Sequence, residues 1–190
     1  MTDARSTRRF DPDRRERIIA VCLDVIAESG VAETSHRRVA AAADVPLGSM
    51  TYHFSGMDEL LHEAFSRYAA AAYGWFDALM SEQDSVEEAV RAVVAMLTAP
   101  TAQSQRDLVL AHELYTLAAR KPAFRELTNH WMARSRAALE RHFDPATARM
   151  LDALIEGLTI HRALDTEPYD PAVAEAAVRR ICAVAQERMA

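Results

Sequence analysis

Glycine and proline are scarce, five and seven among 190 residues. A β-sandwich or a dinucleotide-binding α/β chain needs more turn punctuation than that. There are only two cysteines, Cys22 and Cys182, set far apart, so neither a disulfide framework nor a Cys-x-x-Cys metal pair is available. No apolar run approaches the roughly 18 residues of a membrane span. The first 13 residues are charged and lack the apolar centre of a secretory signal, so the cytosol is the expected compartment. What is abundant is apolar residue, 50% of the chain, much of it alanine, the strongest helix former. An all-α protein with a substantial core is the expected class, and extensive disorder is excluded.

The net charge of −6 is unevenly spread. Residues 1–56 carry eight arginines and eight acidic groups, whereas residues 57–190 carry 14 basic and 20 acidic groups. Across residues 5–17, six arginines face three acidic residues. An electropositive end on an acidic body suits a protein that touches a polyanion with one small region; a solvated arginine-rich tail is the plainer alternative.

Helix signals follow one another along the chain. Asp13 and Glu16 have capping-box spacing, in which each side chain satisfies an orphan N–H group. Ile18, Cys22, Val25 and Ile26 then share one face, and Gly30 ends the helix. Residues 34–43 form a short helix with Ser35 at its N-cap, and a second short helix covers 48–54 after the break Asp44-Val-Pro-Leu47. Helices this short do not stand alone, because nucleation outweighs the few hydrogen bonds gained, so both must pack on the first. Three helices with a tight turn between the last two make a helix-turn-helix unit. Ala40 suits the close crossing; Val39, Val45, Met50 and Phe54 supply a small core. Asp44 tolerates a left-handed turn, and Pro46 fits a helix start. Beyond Ser55, which can cap a helix over 57–80, Ser85 and Glu88 open a helix that Pro100 ends. Further helices are predicted over 102–120, 122–143, 145–164 and 171–189, the last two opened by Asp144-Pro145 and Asp170-Pro171. The prediction is thus all-α with about nine helices. A helix-turn-helix domain covers 1–56, with an arm over 1–12, and a larger helical domain covers 57–190.

The residues from Arg15 to about Leu61 resemble the tetracycline-repressor (TetR/AcrR) type of bacterial transcriptional regulator. The likeness rests on Glu28-Ser-Gly30, Thr34, Arg37, Val39-Ala40 and Val45, on Gly48-Ser-Met-Thr-Tyr-His-Phe54, and on Asp58-Glu-Leu-Leu61. It implies a homodimer whose two recognition helices enter successive major grooves of a palindromic operator on double-stranded DNA, about 34–36 Å apart. The recognition element runs from Pro46 to His53. Leu47, Ser49 and Thr51 are placed to reach base edges or thymine methyls, although Leu47 can instead pack on the first helix. Gly48 admits close backbone approach, and by resemblance Tyr52 and His53 reach phosphates. Ser35 and the start of its helix can hold a phosphate, with Arg37 and Arg38 as further contacts. Arg5, Arg8 and Arg9 form a candidate arm for the backbone or an A·T-rich minor groove. The family commonly has a phosphate-binding lysine at the start of the linking helix, where this chain has Met57.

The resemblance also implies a small-molecule pocket and a dimer interface in the larger domain. Pocket candidates are Tyr73, Phe76, Met96, His112, Glu113, Tyr115, Trp131 and Met132, any of which can equally be ordinary core. Candidate interface residues are Leu151, Leu154, Ile155, Gly157 and Leu158 on one helix and Val173, Ala177, Ile181 and Val184 on the last. Together they would form an intermolecular four-helix bundle, unless these faces simply close the protomer's own core. No enzyme, metal or cofactor is expected. No two of the seven histidines stand four apart, and no nucleophile elbow, Walker loop or dinucleotide fingerprint appears. The expected function is a ligand-responsive repressor. An activator of the same fold, an all-α enzyme and a protein-interaction adaptor remain as alternatives.

Overall fold

The computed structural model describes residues 11–99 and 105–189, with side chains through residue 183. Among the described residues there are nine α-helices and no strand: α1 (Arg14–Ser29), α2 (His36–Ala42), α3 (Leu47–His53), α4 (Met57–Ser81), α5 (Val86–Thr98), α6 (Gln105–Arg120), α7 (Pro122–Leu139), α8 (Pro145–Leu164) and α9 (Pro171–Met189). The candidate arm residues Arg5, Arg8 and Arg9, the breaker Pro100 and the side chain of Val184 lie outside the described residues.

Local chemistry explains most helix ends. The Arg38 N–H donates to Ser35 Oγ at 3.3 Å, capping α2. Asp144 accepts from the N–H groups of Ala146 and Thr147 at 3.0 and 3.1 Å, with Pro145 at the first helical position. Two expected caps are built differently. Asp13 caps nothing with its side chain, and Glu16 pairs with Arg67 on α4 instead of turning back. Ser55 likewise donates rather than accepts: its N–H and hydroxyl both bind the Glu59 carboxylate, at 2.7 and 2.5 Å, and Gly56 occupies the N-cap of α4. Pro46 sits at the N-cap of α3, just outside the helix. The Asp44 turn has φ 50°, the left-handed conformation that its short polar side chain tolerates. Gly30 has φ 76° and ψ 166°, a region essentially closed to residues with a Cβ.

Two hydrophobic clusters hold the molecule. The first joins α1, α2 and α3 to the N-terminal half of α4, to α6 and to the start of α7, through Ile18, Cys22, Ile26, Val39, Met50, Phe54, Leu60, Phe65, Leu110, Leu114 and Phe124. It runs straight across residue 56, so the helix-turn-helix head shares its core with the body. Met57 packs partly buried against this cluster. The second cluster joins the C-terminal end of α4 to α5, α7, α8 and α9, through Phe76, Met80, Val93, Leu139, Phe143, Leu151 and Val178. The long α4 belongs to both. Head and body are also stitched by charge: Arg15 pairs with Glu63 while lying over the Phe54 ring, 5.2 Å from its centroid, and Arg106 on α6 pairs with Asp24 on α1 at 2.8 Å.

Candidate nucleic-acid interface and cavity

Met50 and Phe54 fasten α3 to the head, at 0% and 2% exposure, which leaves the rest of the helix facing outward. Leu47 is 50% exposed and Tyr52 84% exposed. Leu47 is thus not part of the core that α3 shares with α1. Gly48 and Thr51 are exposed, and Ser49 and His53 partly so. No neighbour lies within 4 Å of where a Cβ on Gly48 would stand. The Thr51 hydroxyl rests on the Gly48 carbonyl at 3.2 Å, and the Tyr52 and His53 rings meet edge to face with centroids 4.9 Å apart. Ser35, Arg37 and Arg38 are exposed at the start of α2, as is Pro46 at the start of α3. Arg38 is drawn back onto Glu33, donating to its carbonyl at 3.4 Å. The structure thus brings every described candidate of the nucleic-acid face onto the outer side of α2 and α3.

Between the two hydrophobic clusters lies a cavity of about 1070 Å³, walled by α4 to α8 together with Leu23 of α1. Six of the eight nominated pocket residues stand on it: Phe76, Met96, His112, Tyr115, Trp131 and Met132. Two do not. Tyr73 lies on another face of α4, against His130 on α7 (ring centroids 5.7 Å apart) and Arg134. Glu113 turns away toward α1, its Oε1 only 2.7 Å from where a Cβ on Gly30 would stand. Adjacent helical residues differ by about 100° in direction, and on α6 that rotation takes Glu113 to the side that meets α1. The His112 Nδ1 donates to the Leu108 carbonyl at 2.7 Å, which makes Nε2 the acceptor in the neutral ring.

The aromatic wall is ordered. The Tyr115 and Trp131 rings are within 10° of parallel with centroids 6.2 Å apart, and Tyr68 meets Trp131 edge on at 5.7 Å. Trp75 adds a second indole, 58% exposed. Charged residues on the wall went unnoticed in the sequence: Arg67, Arg106, Arg136, Asp152 and Glu156 among them. Their signal was the i, i+4 spacing of Asp152 and Glu156 on one side of α8. Burial pushes both carboxyls up; Arg136, 3.4 Å away, partly offsets this for Asp152. Burial also raises the Tyr115 phenol.

On α8 and α9 the nominated interface residues divide. Leu151 is 0% exposed and belongs to the protomer's own second core, so it is not available to a partner. Ile155 packs on that core and reaches the cavity wall. Leu154, Leu158 and Ile181 are partly buried against the same core, and Ala177 is half-buried. Val173 is 59% exposed, and a Cβ on Gly157 would meet nothing within 4 Å. Among the described residues no group of three or more His, Cys, Asp or Glu is placed to hold a metal. The two Glu-x-x-His spacings in the chain, Glu33–His36 and Glu59–His62, form no such group. None of the described helices is long and apolar enough to cross a membrane.

A helix-turn-helix head that shares its core with a cavity-bearing helical body is the build of a DNA-binding regulator. Comparison with known proteins places it further. A family model for bacterial regulatory proteins of the tetR family matches residues 18–64, and one for the tetracyclin repressor-like C-terminal domain matches residues 84–184. The chain is 57% identical to a candidate transcriptional regulator from Streptomyces coelicolor A3(2), covering 90% of this chain and 99% of that one with a TM-score of 0.84. It is also similar to the multidrug binding protein EbrR. The EbrR complex with ethidium matches at 35% identity, 90% and 99% coverage and a TM-score of 0.71. The complex with malachite green matches at 36% identity, 90% and 99% coverage and a TM-score of 0.70. No curated protein matches the sequence. The chain belongs to the tetR family, whose members are transcriptional regulators rather than enzymes.

Proposed function

We propose that the protein is a homodimeric repressor that holds a palindromic operator through α3 and releases it when a small molecule fills the cavity. The observation that carries this reading is the division of α3, whose Met50 is buried while Leu47 and Tyr52 stand in solvent. A seven-residue helix held outward in this way presents its N-terminal side chains to a major groove. Leu47, Ser49 and Thr51 then read bases, while Tyr52, His53, Ser35, Arg37 and Arg38 position the backbone.

Dimerisation through α8 and α9 places two such helices about 34–36 Å apart. With Leu151 committed to the protomer core, the shared surface rests on Leu154, Gly157, Leu158, Val173, Ala177 and Ile181. The effector acts by population shift. It favours a dimer in which α4 is tilted and the two α3 helices no longer match the operator spacing. Moving such an equilibrium from 1:99 to 99:1 requires about a 10⁴-fold difference in affinity for the two states, about 5.5 kcal/mol. EbrR, which is known in complex with ethidium, proflavin and malachite green, supports an effector of small aromatic type.

Selection of bound duplexes from a random pool tests the reading. A palindromic consensus with half-sites one helical turn apart is expected. Enrichment of a non-palindromic site, or of none, would overturn it.

A further inference from the structure

The charges on the cavity wall are not interchangeable. Arginine is the commonest charged residue there, yet four of the five arginines have definite partners. Arg67 pairs with Glu16, and Arg106 Nη2 pairs with Asp24 at 2.8 Å. Arg136 pairs with Asp152 at 3.4 Å. Arg162 donates to the Leu97 carbonyl at 2.6 Å and lies 4.6 Å from the centre of the Tyr169 ring. The fifth, Arg149, is exposed, and its charge acts on Asp152. Asp107 is itself engaged.

Glu156 differs from all of these. It lines the cavity yet makes no ion pair among the described residues, and the basic side chain that faces it is the His112 imidazole rather than an arginine. The Tyr115 phenol stands beside it on the cavity wall and favours its ionised form, while burial, the larger influence, and the neighbouring Asp152 oppose its charge. Tyr115 in turn lies parallel to Trp131. A half-buried carboxyl with no ion-pair partner among the described residues, set beside indole and phenol rings, is a site for a flat aromatic cation. The ligand's charge supplies what the arginines do not, and the ring faces attract it further.

We infer that Glu156 is the charge-selecting residue of this cavity, and that the cavity takes a planar organic monocation in preference to an anion of the same size. This rests on the reading of the cavity as the effector site, but its test needs no DNA. The groups facing Glu156 are His112 and Tyr115 on α6 and Asp152 on α8, the last tied to Arg136 on α7.

Two fluorescent probes separate the charge classes in DNA-free protein: ethidium, a permanent cation, and anilinonaphthalene sulfonate, a permanent anion. Ethidium is expected to saturate one site per protomer and to bind at least tenfold more tightly than the anion. Glu156→Gln, nearly isosteric, is expected to weaken ethidium at least tenfold and leave the anion unchanged or improved. Asp152→Asn, which breaks an already neutral pair, is expected to change ethidium binding less than threefold.

The pH dependence is a second readout on unaltered protein. The ligand's charge does not titrate, and Glu156 must be ionised to hold it. Affinity for ethidium therefore falls as pH drops through the raised carboxyl range. That slope should vanish in Glu156→Gln and persist in His112→Gln. Binding of ethidium by Glu156→Gln within twofold of the parent overturns the inference. So does a pH slope that survives in that variant, tighter binding of the anion, or binding of neither probe. If ethidium binds through Glu156 yet never releases DNA, the inference stands and the effector reading falls.

Discussion

Gly30 is a residue where backbone geometry overrides everything nearby. Its φ of 76° with ψ 166° lies in a region that side chains close, and it is the point at which α1 is turned toward α2. The sequence marks it plainly as a helix-ending glycine. What stands over it is invisible in the sequence, because Glu113 arrives from α6 through tertiary packing. Gly30→Ala is expected to lower stability by about 1–3 kcal/mol, from backbone strain plus crowding against that carboxylate. Urea unfolding of Gly30→Ala, Glu113→Ala and the double variant separates the two causes. If strain dominates, the double variant stays well below Glu113→Ala; equal midpoints for those two would show that crowding alone was responsible. Glu113 also shows why a cluster in sequence is not a cluster in space. Its neighbours His112 and Tyr115 reach the cavity, while it points to the head.

Among elements, the caps at Ser35 and Asp144 were legible because each is a bond within four residues of chain. The expected box at Asp13 and the expected cap at Ser55 were not. Glu16 is claimed by Arg67 from another helix, and Glu59 reverses the donor and acceptor roles at Ser55. In α3 the sequence correctly marks Met50 and Phe54 as anchors, and their burial aims the remaining side chains. Thr51→Ala is accordingly expected to alter base preference, changing discrimination at one position of each half-site by about 1–3 kcal/mol. Tyr52→Phe and His53→Ala should weaken cognate and scrambled duplexes alike. Competition binding with both duplexes checks this, and equal losses for Thr51→Ala would remove it from the base-reading set.

For α8 the sequence showed one apolar face and missed that the helix has three duties. Leu151 closes the protomer core, Glu156 and Thr159 line the cavity, and Gly157 is open. Because a Cβ at position 157 would meet nothing within 4 Å, a side chain can leave the backbone there without a clash, and Gly157→Leu gains helix propensity of up to about 1 kcal/mol. It is expected to split the dimer without unfolding the chain. Sedimentation equilibrium showing an unaltered dimer would take Gly157 out of the interface.

For the whole molecule, helix number and class could be read from periodicity and punctuation, but the cavity could not. It exists because α4 spans two separate hydrophobic clusters that do not merge, and a side-chain pattern records what is buried rather than what is left empty. Charge distribution is a second property at this scale. The head region is neutral over residues 1–56 while the remainder carries the whole −6. Approach to a polyanion is therefore favoured head first and opposed body first. Met57 sits where the two regions meet, partly buried against the shared core and adding no charge at the start of α4. A lysine there can keep its stem on that core and extend its ammonium to solvent. Met57→Lys is thus expected to add one phosphate contact per half-site. The plot of log affinity against log salt should steepen by about 0.9 per protomer, with tighter binding at low salt and no change in the preferred sequence. Titrations from low to moderate salt on one cognate duplex measure that slope. An unchanged slope in a variant that still melts cooperatively would mean that the start of α4 does not reach the DNA backbone in this protein.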